Sequence, residues 1–157
     1  MNIGDKYETA RDGCIEITEY LGSNKVGYRF VETGFCGFTQ AGNIKRGAVK
    51  DKLKPSVFGV GYVGVGNYKQ TTHKWHYNAW KGMLERCYSS KYQDRFPSYL
   101  GCVVCDQWHN FQVFAKWLDE NCKRNGGRWE VDKDILIDGN RIYSPSSFRV
   151  VTSQENN

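Results

Sequence analysis

The apolar residues change period once along this chain, and that change constrains the fold more than any other feature. Up to about residue 50 they alternate. Gly13-Cys14-Ile15-Glu16-Ile17-Thr18-Glu19-Tyr20 puts Ile15 and Ile17 on one face. After the turn Leu21-Gly22-Ser23-Asn24, the residues Val26, Tyr28 and Phe30 alternate again, with Lys25 and Arg29 outside the apolar set. The pair reads as a hairpin. Residues 35–38 and 44–49 add two short strands, punctuated by Gly34, Gly37, Gly42 and Gly47. The expectation is a small open barrel or meander of about four strands.

Further on the period becomes helical. Trp80, Met83, Leu84, Cys87 and Tyr88 fall at steps 0, 3, 4, 7 and 8, which predicts an amphipathic helix over about residues 74–89. Phe111, Phe114, Ala115 and Leu118 fall at 0, 3, 4 and 7. They predict a second helix over about residues 106–122, with Asp106 as its N-cap. Lys50-Asp51-Lys52-Leu53-Lys54-Pro55-Ser56 reads as a charged, proline-bearing linker between the two regimes. After Gly126-Gly127 come a strand over 129–136, a turn at Asp138-Gly139-Asn140 and a strand over 148–151. The expected class is α+β. A small N-terminal β-barrel or meander (1–54) is followed by a unit over 57–157, made of a two-helix basic region and a C-terminal ββ(α) element.

The chain of 157 residues is one domain's worth, or two very small ones. Its 10 Tyr, 8 Phe and 5 Trp argue against disorder, since such rings must be buried or stacked. No apolar run approaches the roughly 20 residues that span a bilayer. Met1-Asn2-Ile3-Gly4-Asp5 lacks the basic stretch and apolar core of a signal peptide. A cytoplasmic protein is expected.

The net charge of +5 is unevenly placed. Residues 1–56 carry 9 basic and 7 acidic side chains, residues 57–128 carry 10 and 5, and residues 129–157 carry 3 and 5. The middle therefore holds the attraction for anions. Lys69, Lys74, Lys81, Arg86, Lys91, Arg95, Lys116, Lys123, Arg124 and Arg128 supply the charge, with Tyr68, Tyr77, Tyr88 and Tyr92 interleaved. This set, with Arg141 and Arg149 from the tail, suits a phosphate backbone, and DNA is the expected partner. An ordinary solvated surface is the bland alternative. The tail gathers Glu130, Asp132, Asp134 and Asp138, either a solvated acidic turn or the carboxylates of a metal-dependent nuclease.

Two further motifs stand out. Gly59-Val60-Gly61-Tyr62-Val63-Gly64 formally matches the dinucleotide-binding fingerprint. No β-α-β unit surrounds it, so it reads as a glycine-rich loop or strand that lets the backbone approach something closely. Cys102-Val103-Val104-Cys105 is a CxxC. With Cys87 and Cys122, and with His73, His76 and His109 nearby in sequence, it would make a tetrahedral zinc site. The second CxxC is missing, and the same cysteines fit as buried thiols.

The last segment carries a resemblance. Val131-Asp132-Lys133-Asp134, then Asp138-Gly139-Asn140-Arg141, then Phe148-Arg149-Val150-Val151-Thr152-Ser153-Gln154-Glu155-Asn156-Asn157 resembles the tail of phage HNH-type homing endonucleases. Trp80, Met83, Arg86 and Cys87 match a helix of one branch of that family. Tyr99, Gly101, Val104, Cys105, Trp108, Phe111 and Phe114 match the pattern that follows it. The likeness covers roughly residues 75–157.

The resemblance implies metal-assisted phosphodiester hydrolysis in a phage-infected host's cytoplasm. Asp132, Asp134 and Asn140 would hold Mg2+, and Lys133 and Asp134 would be the catalytic pair. The family's other polar positions fall near Tyr143-Ser144 and Ser146-Ser147. One departure matters. The family's general base is a histidine, and here that position is Lys133. A lysine with an ordinary pKa of about 10.4 is protonated at neutral pH and takes no proton. Neighbouring Asp132 and Asp134 hold it charged. Two functions therefore stay open. One is a DNA-binding homing-endonuclease relative that cuts or has ceased to cut. The other is an interaction protein that inhibits a host enzyme or defence complex, such as an anti-CRISPR.

Overall fold

The computed structural model describes residues 1–121, 129–132, 141–146 and 149–152. Two compact units divide the chain, Met1–Lys54 and Pro55–Asn157.

In the first unit, strands β1 (Lys6–Glu8), β2 (Cys14–Tyr20), β3 (Val26–Phe30) and β4 (Cys36–Thr39) form an antiparallel sheet in sequence order. The β2–β3 register pairs Ile15 with Phe30 and Ile17 with Tyr28. Alternation thus delivers Ile15, Ile17, Tyr28 and Phe30 to one face, where they are buried with Val26 and Ile44. The sheet is a meander and does not close into a barrel. Its first strand is the short Lys6–Glu8. The fourth strand expected near residues 44–49 is instead a short helix, α1 (Ala41–Lys45), which buries Ala41 and Ile44.

The charged stretch 50–56 is not a free linker in its first half. Asp51 is buried, accepts a hydrogen bond from the Thr33 hydroxyl at 2.6 Å, and accepts another from the Leu53 N–H at 2.9 Å. Its own N–H donates to Asp12 at 2.8 Å. A buried carboxylate survives folding when its oxygens are satisfied in this way. Asp51 is therefore fastened to the turns that join β1 to β2 and β3 to β4.

The second unit is built around α2 (Lys74–Tyr88) and α4 (Phe111–Asn121). Between them come α3 (Ser90–Arg95), a 3-10 turn at Pro97–Tyr99, strand β5 (Val103–Val104) and a second 3-10 turn at Asp106–His109. β5 pairs in parallel with β7 (Ile142–Tyr143). β6 (Trp129–Asp132) pairs antiparallel with β8 (Arg149–Thr152). The core is aromatic. Trp80, Trp108, Phe111, Phe114 and Tyr143 are fully buried beside Met83 and Leu84. The Trp80 indole donates to the Trp108 carbonyl at 2.7 Å, which satisfies a polar handle that burial would otherwise strand.

The second helix starts later than the periodicity suggests. Asp106 is not its N-cap; it begins a separate 3-10 turn, capped at Cys105. The cause is the glycine-rich segment. The Tyr62 N–H donates to the His109 carbonyl at 2.8 Å, and the Phe111 N–H donates to the Tyr62 carbonyl at 2.9 Å. Those bonds use the groups a continuous helix needs, so Asn110 is extended and α4 begins after it. Among the described residues no helix is long and apolar enough to cross a membrane.

Candidate nucleic-acid interface

α2 directs Tyr77, Trp80, Met83, Leu84 and Cys87 into the core. Lys74 and Lys81, two turns apart, share the opposite, exposed face. Lys91 and Arg95 are exposed one turn apart on α3, Lys116 is exposed on the outer side of α4, and Lys69 is exposed before α2. None of these six cations joins an ion pair among the described residues. In the second unit only His76 and Asp119 make such a contact among those residues.

Two predicted arginines have structural work instead. Arg86 is half-buried, within hydrogen-bonding reach of the Tyr143 and Tyr92 hydroxyls. Arg141 donates to the carbonyls of Ser98 and Leu100, the latter at 2.9 Å, and so ties β7 to the turn before β5. Arg149 lies in β8, its backbone paired opposite Asp132 in β6. Arg124 and Arg128 lie outside the described residues, as does Lys123.

The tyrosines divide similarly. Tyr77 is buried against Trp80 and Phe111 and cannot meet a ligand. The Tyr88 hydroxyl accepts from the Val104 N–H at 3.0 Å. Burial raises the pKa values of both phenols.

Two of the four clustered carboxylates lie in β6, Glu130 and, as its last residue, Asp132, while Lys133, Asp134, Asp138 and Asn140 lie outside the described residues. Cys87 and Cys102 are buried members of the aromatic core and Cys105 packs against it, with its thiol pushed up chiefly by burial. Cys122 lies outside the described residues. Among the described residues, no three His, Cys, Asp or Glu side chains converge as a metal site would require.

A polar cluster that sequence spacing does not reveal joins three segments. The Asp119 carboxylate on α4 accepts from the Tyr68 hydroxyl at 2.7 Å and from His76 Nε2 at 2.5 Å. His73 Nδ1 accepts from the Lys69 N–H at 3.2 Å, and its ring stands 4.9 Å from that of Tyr68. Burial works against the charge on Asp119, but the hydrogen bonds from Tyr68 and His76 outweigh it and hold its pKa below the usual range. The same bond to Asp119, then burial, pushes the Tyr68 phenol up to about 12. A Tyr–Asp–His chain suggests acid–base chemistry, but a general base must present its lone pair to substrate. The remaining ring nitrogen of His76, Nδ1, is buried and has no partner among the described residues. The cluster therefore acts as a fastener between the segment before α2 and α4. The His73-to-His76 step is its one sequence signal. Asp119 is 43 residues away from His76.

The glycine run is part of the same fastening. A Cβ on Gly61 would lie 2.4 Å from Leu84 and 2.7 Å from Trp80. On Gly64 it would lie 2.1 Å from the Asn110 side chain, and on Gly66 2.3 Å from Gln112. The Gln112 amide donates to the carbonyls of Val63 and Tyr68 at 3.0 and 2.8 Å, and its oxygen accepts from the Tyr68 N–H at 3.0 Å. The close approach that these glycines permit is to α2, to Asn110 just before α4 and to Gln112 on α4, and the run opens no helix. No protein-family model, curated protein or solved structure gives a significant match to this chain.

Proposed function

We propose that this chain is a phage nucleic-acid-binding protein of HNH homing-endonuclease descent, acting in the host cytoplasm, whose second unit grips the phosphates of DNA. One observation carries the reading. Lys69, Lys74, Lys81, Lys91, Arg95 and Lys116 are exposed and, among the described residues, none is neutralised by a carboxylate. Cations left unpaired in this way are available to displace counterions from a polyanion. Bases are not read by such contacts, which set affinity and orientation.

On this reading Asp132, Asp134 and Asn140 would be the oxygen donors for Mg2+, which would supply Lewis-acid stabilisation of phosphoryl charge. Lys133 would steady the same charge rather than take a proton. The lysine favours a second reading, in which the DNA-binding shell persists without cleavage and serves to inhibit a host enzyme or defence complex.

Labelled duplex titrated at several salt concentrations tests the first reading. Affinity is expected to fall steeply with salt, with a log–log slope of about −0.9 per phosphate neutralised. No binding at about 50 mM salt sinks it. A plasmid-nicking assay with Mg2+ or Mn2+ separates cutting from binding. Nicking abolished by Asp134→Ala establishes the enzyme; binding without nicking, together with a stoichiometric complex with a host protein, establishes the inhibitor.

A further inference from the structure

The excursion between α2 and β5, which carries Lys91 and Arg95 of the phosphate grip, also carries aromatic rings that the grip does not use. The Tyr99 and Tyr92 rings stand 5.8 Å apart at 54°, Tyr92 and Phe96 stand 4.9 Å apart at 36°, and the Arg95 guanidinium lies 5.5 Å from the Phe96 centroid. These spacings make a ladder of flat groups. It runs from the half-buried Tyr99 to Phe96, which is 43% exposed, and to the exposed Arg95.

The mount is rigid. The Ser89 hydroxyl caps α3 by accepting from the Tyr92 N–H at 3.2 Å. The Gln93 side-chain amide donates to the carbonyls of Arg86 and Cys87 at 3.0 and 2.8 Å, which locks α3 onto the end of α2. The middle ring of the ladder is held as well, because Tyr92 reaches Arg86. Lys91 and Arg95 flank the rings, and neither pairs with Asp94, the carboxylate on the same helix.

We infer that this ladder is a stacking shelf for an unpaired base, with Lys91 and Arg95 placed for the phosphates on either side of it. The inference rests on the nucleic-acid reading above and names the form of nucleic acid recognised. Duplex bases already stack on each other, so a ring ladder gains nothing from them. An unpaired base offers its π-face to Phe96 and to the plane of Arg95. The flanking positive charge favours this occupant over an apolar protein surface, which would leave both cations unanswered.

The full-length protein decides the matter by fluorescence anisotropy, with a labelled single strand and the duplex of the same sequence. Phe96→Ala is expected to weaken the single strand about tenfold while duplex binding stays within about twofold. Phe96→Trp is expected to keep the affinity, and its exposed indole is quenched when the single strand binds. Circular dichroism checks that both variants keep the wild-type helix content. If both nucleic acids bind and Phe96→Ala changes neither, or weakens both alike, the shelf is wrong and the phosphate grip stands. If the wild type binds neither form at about 50 mM salt, the nucleic-acid reading has failed and the shelf with it.

Discussion

The two units differ in how far they pair their own charge. In the first unit two of the nine cations meet carboxylates within the fold. Arg29 meets Glu16 at 3.0 Å across β2 and β3, Lys54 meets Asp12 at 3.7 Å, and Asp51 is buried in hydrogen bonds. In the second unit the lysines point outward without carboxylate partners among the described residues, while Asp119 is taken by a tyrosine and a histidine. Their cores differ as well. One is mainly aliphatic on a sheet, the other mainly aromatic between helices.

The sharpest way to break that contrast is to remove the centre of the aromatic core. Trp80→Ala deletes a fully buried ring and leaves the Trp108 carbonyl without its indole donor. A loss of about 3–5 kcal/mol is expected. Because the two cores share no residue, α2 and α4 amides should lose hydrogen-exchange protection while β2 and β3 amides keep theirs. Equal loss in both units would show that they do not fold as separate bodies.

Next in size is the charge contrast itself. Reversing Lys74 and Lys81 to Glu touches no packing, since both are exposed on the outer face of α2. DNA affinity is expected to fall roughly a hundredfold, and the salt slope to shrink by about two phosphates. The matched reversal of Lys6 and Lys45, exposed on the first unit, should change affinity less than about threefold. Similar losses from both pairs would erase the distinction and mark the attraction as one of net charge alone.

Where the contrast is legible in the sequence depends on how far apart the interacting groups lie. Period alone places α2 and its core face, apart from exchanging Tyr88 for Tyr77. Tyr88 stands at the edge, its hydroxyl bonded to Val104, while Tyr77 is wedged between Trp80 and Phe111. The exposed lysines follow from the same period. What escapes is set by partners far along the chain. Tyr62, well before α2, bonds both His109 and Phe111 and so fixes where α4 begins, and Asp119 fixes Tyr68 from 51 positions away. Residues 44–49 read as a strand, yet β4 stays the edge of the sheet and the chain after it turns into α1, which buries Ala41 and Ile44. The candidate metal cluster is legible only as residue types and spacing.

A smaller effect tests why the glycine run exists. Gly59 and Gly64 both hold positive φ, at 73° and 75°, but their surroundings differ. A methyl on Gly59 meets nothing within 4 Å, whereas one on Gly64 runs into Asn110. Gly59→Ala should cost only the left-handed penalty, about 1 kcal/mol. Gly64→Ala adds the collision and should cost about 2 kcal/mol in a denaturant melt. Equal costs would mean that conformation alone, rather than close packing against Asn110, demands these glycines.

The smallest expected effect lies at the Asp119 fastener. The Tyr68 phenol titrates at about 12 in the fold and near its ordinary value of about 10 once unfolded. A raised folded pKa contributes stability that is full below about pH 10 and is lost as pH climbs from there towards 12. Asp119 has the opposite sign. Its depressed pKa contributes above the ordinary carboxylate value of about 3.9 and is lost as pH falls through the lower folded value. With the Asp119 side chain 50% exposed, solvent screens both effects, so each edge should be shallow. Tyr68→Phe isolates the alkaline edge. While the protein stays folded, wild type and variant should absorb alike near 295 nm at about pH 11, because Tyr68 has not yet ionised. One tyrosinate's worth of extra absorbance in the wild type at that pH would mean that the hydroxyl is free, and that the segment before α2 is held by Gln112 and the glycines without Asp119.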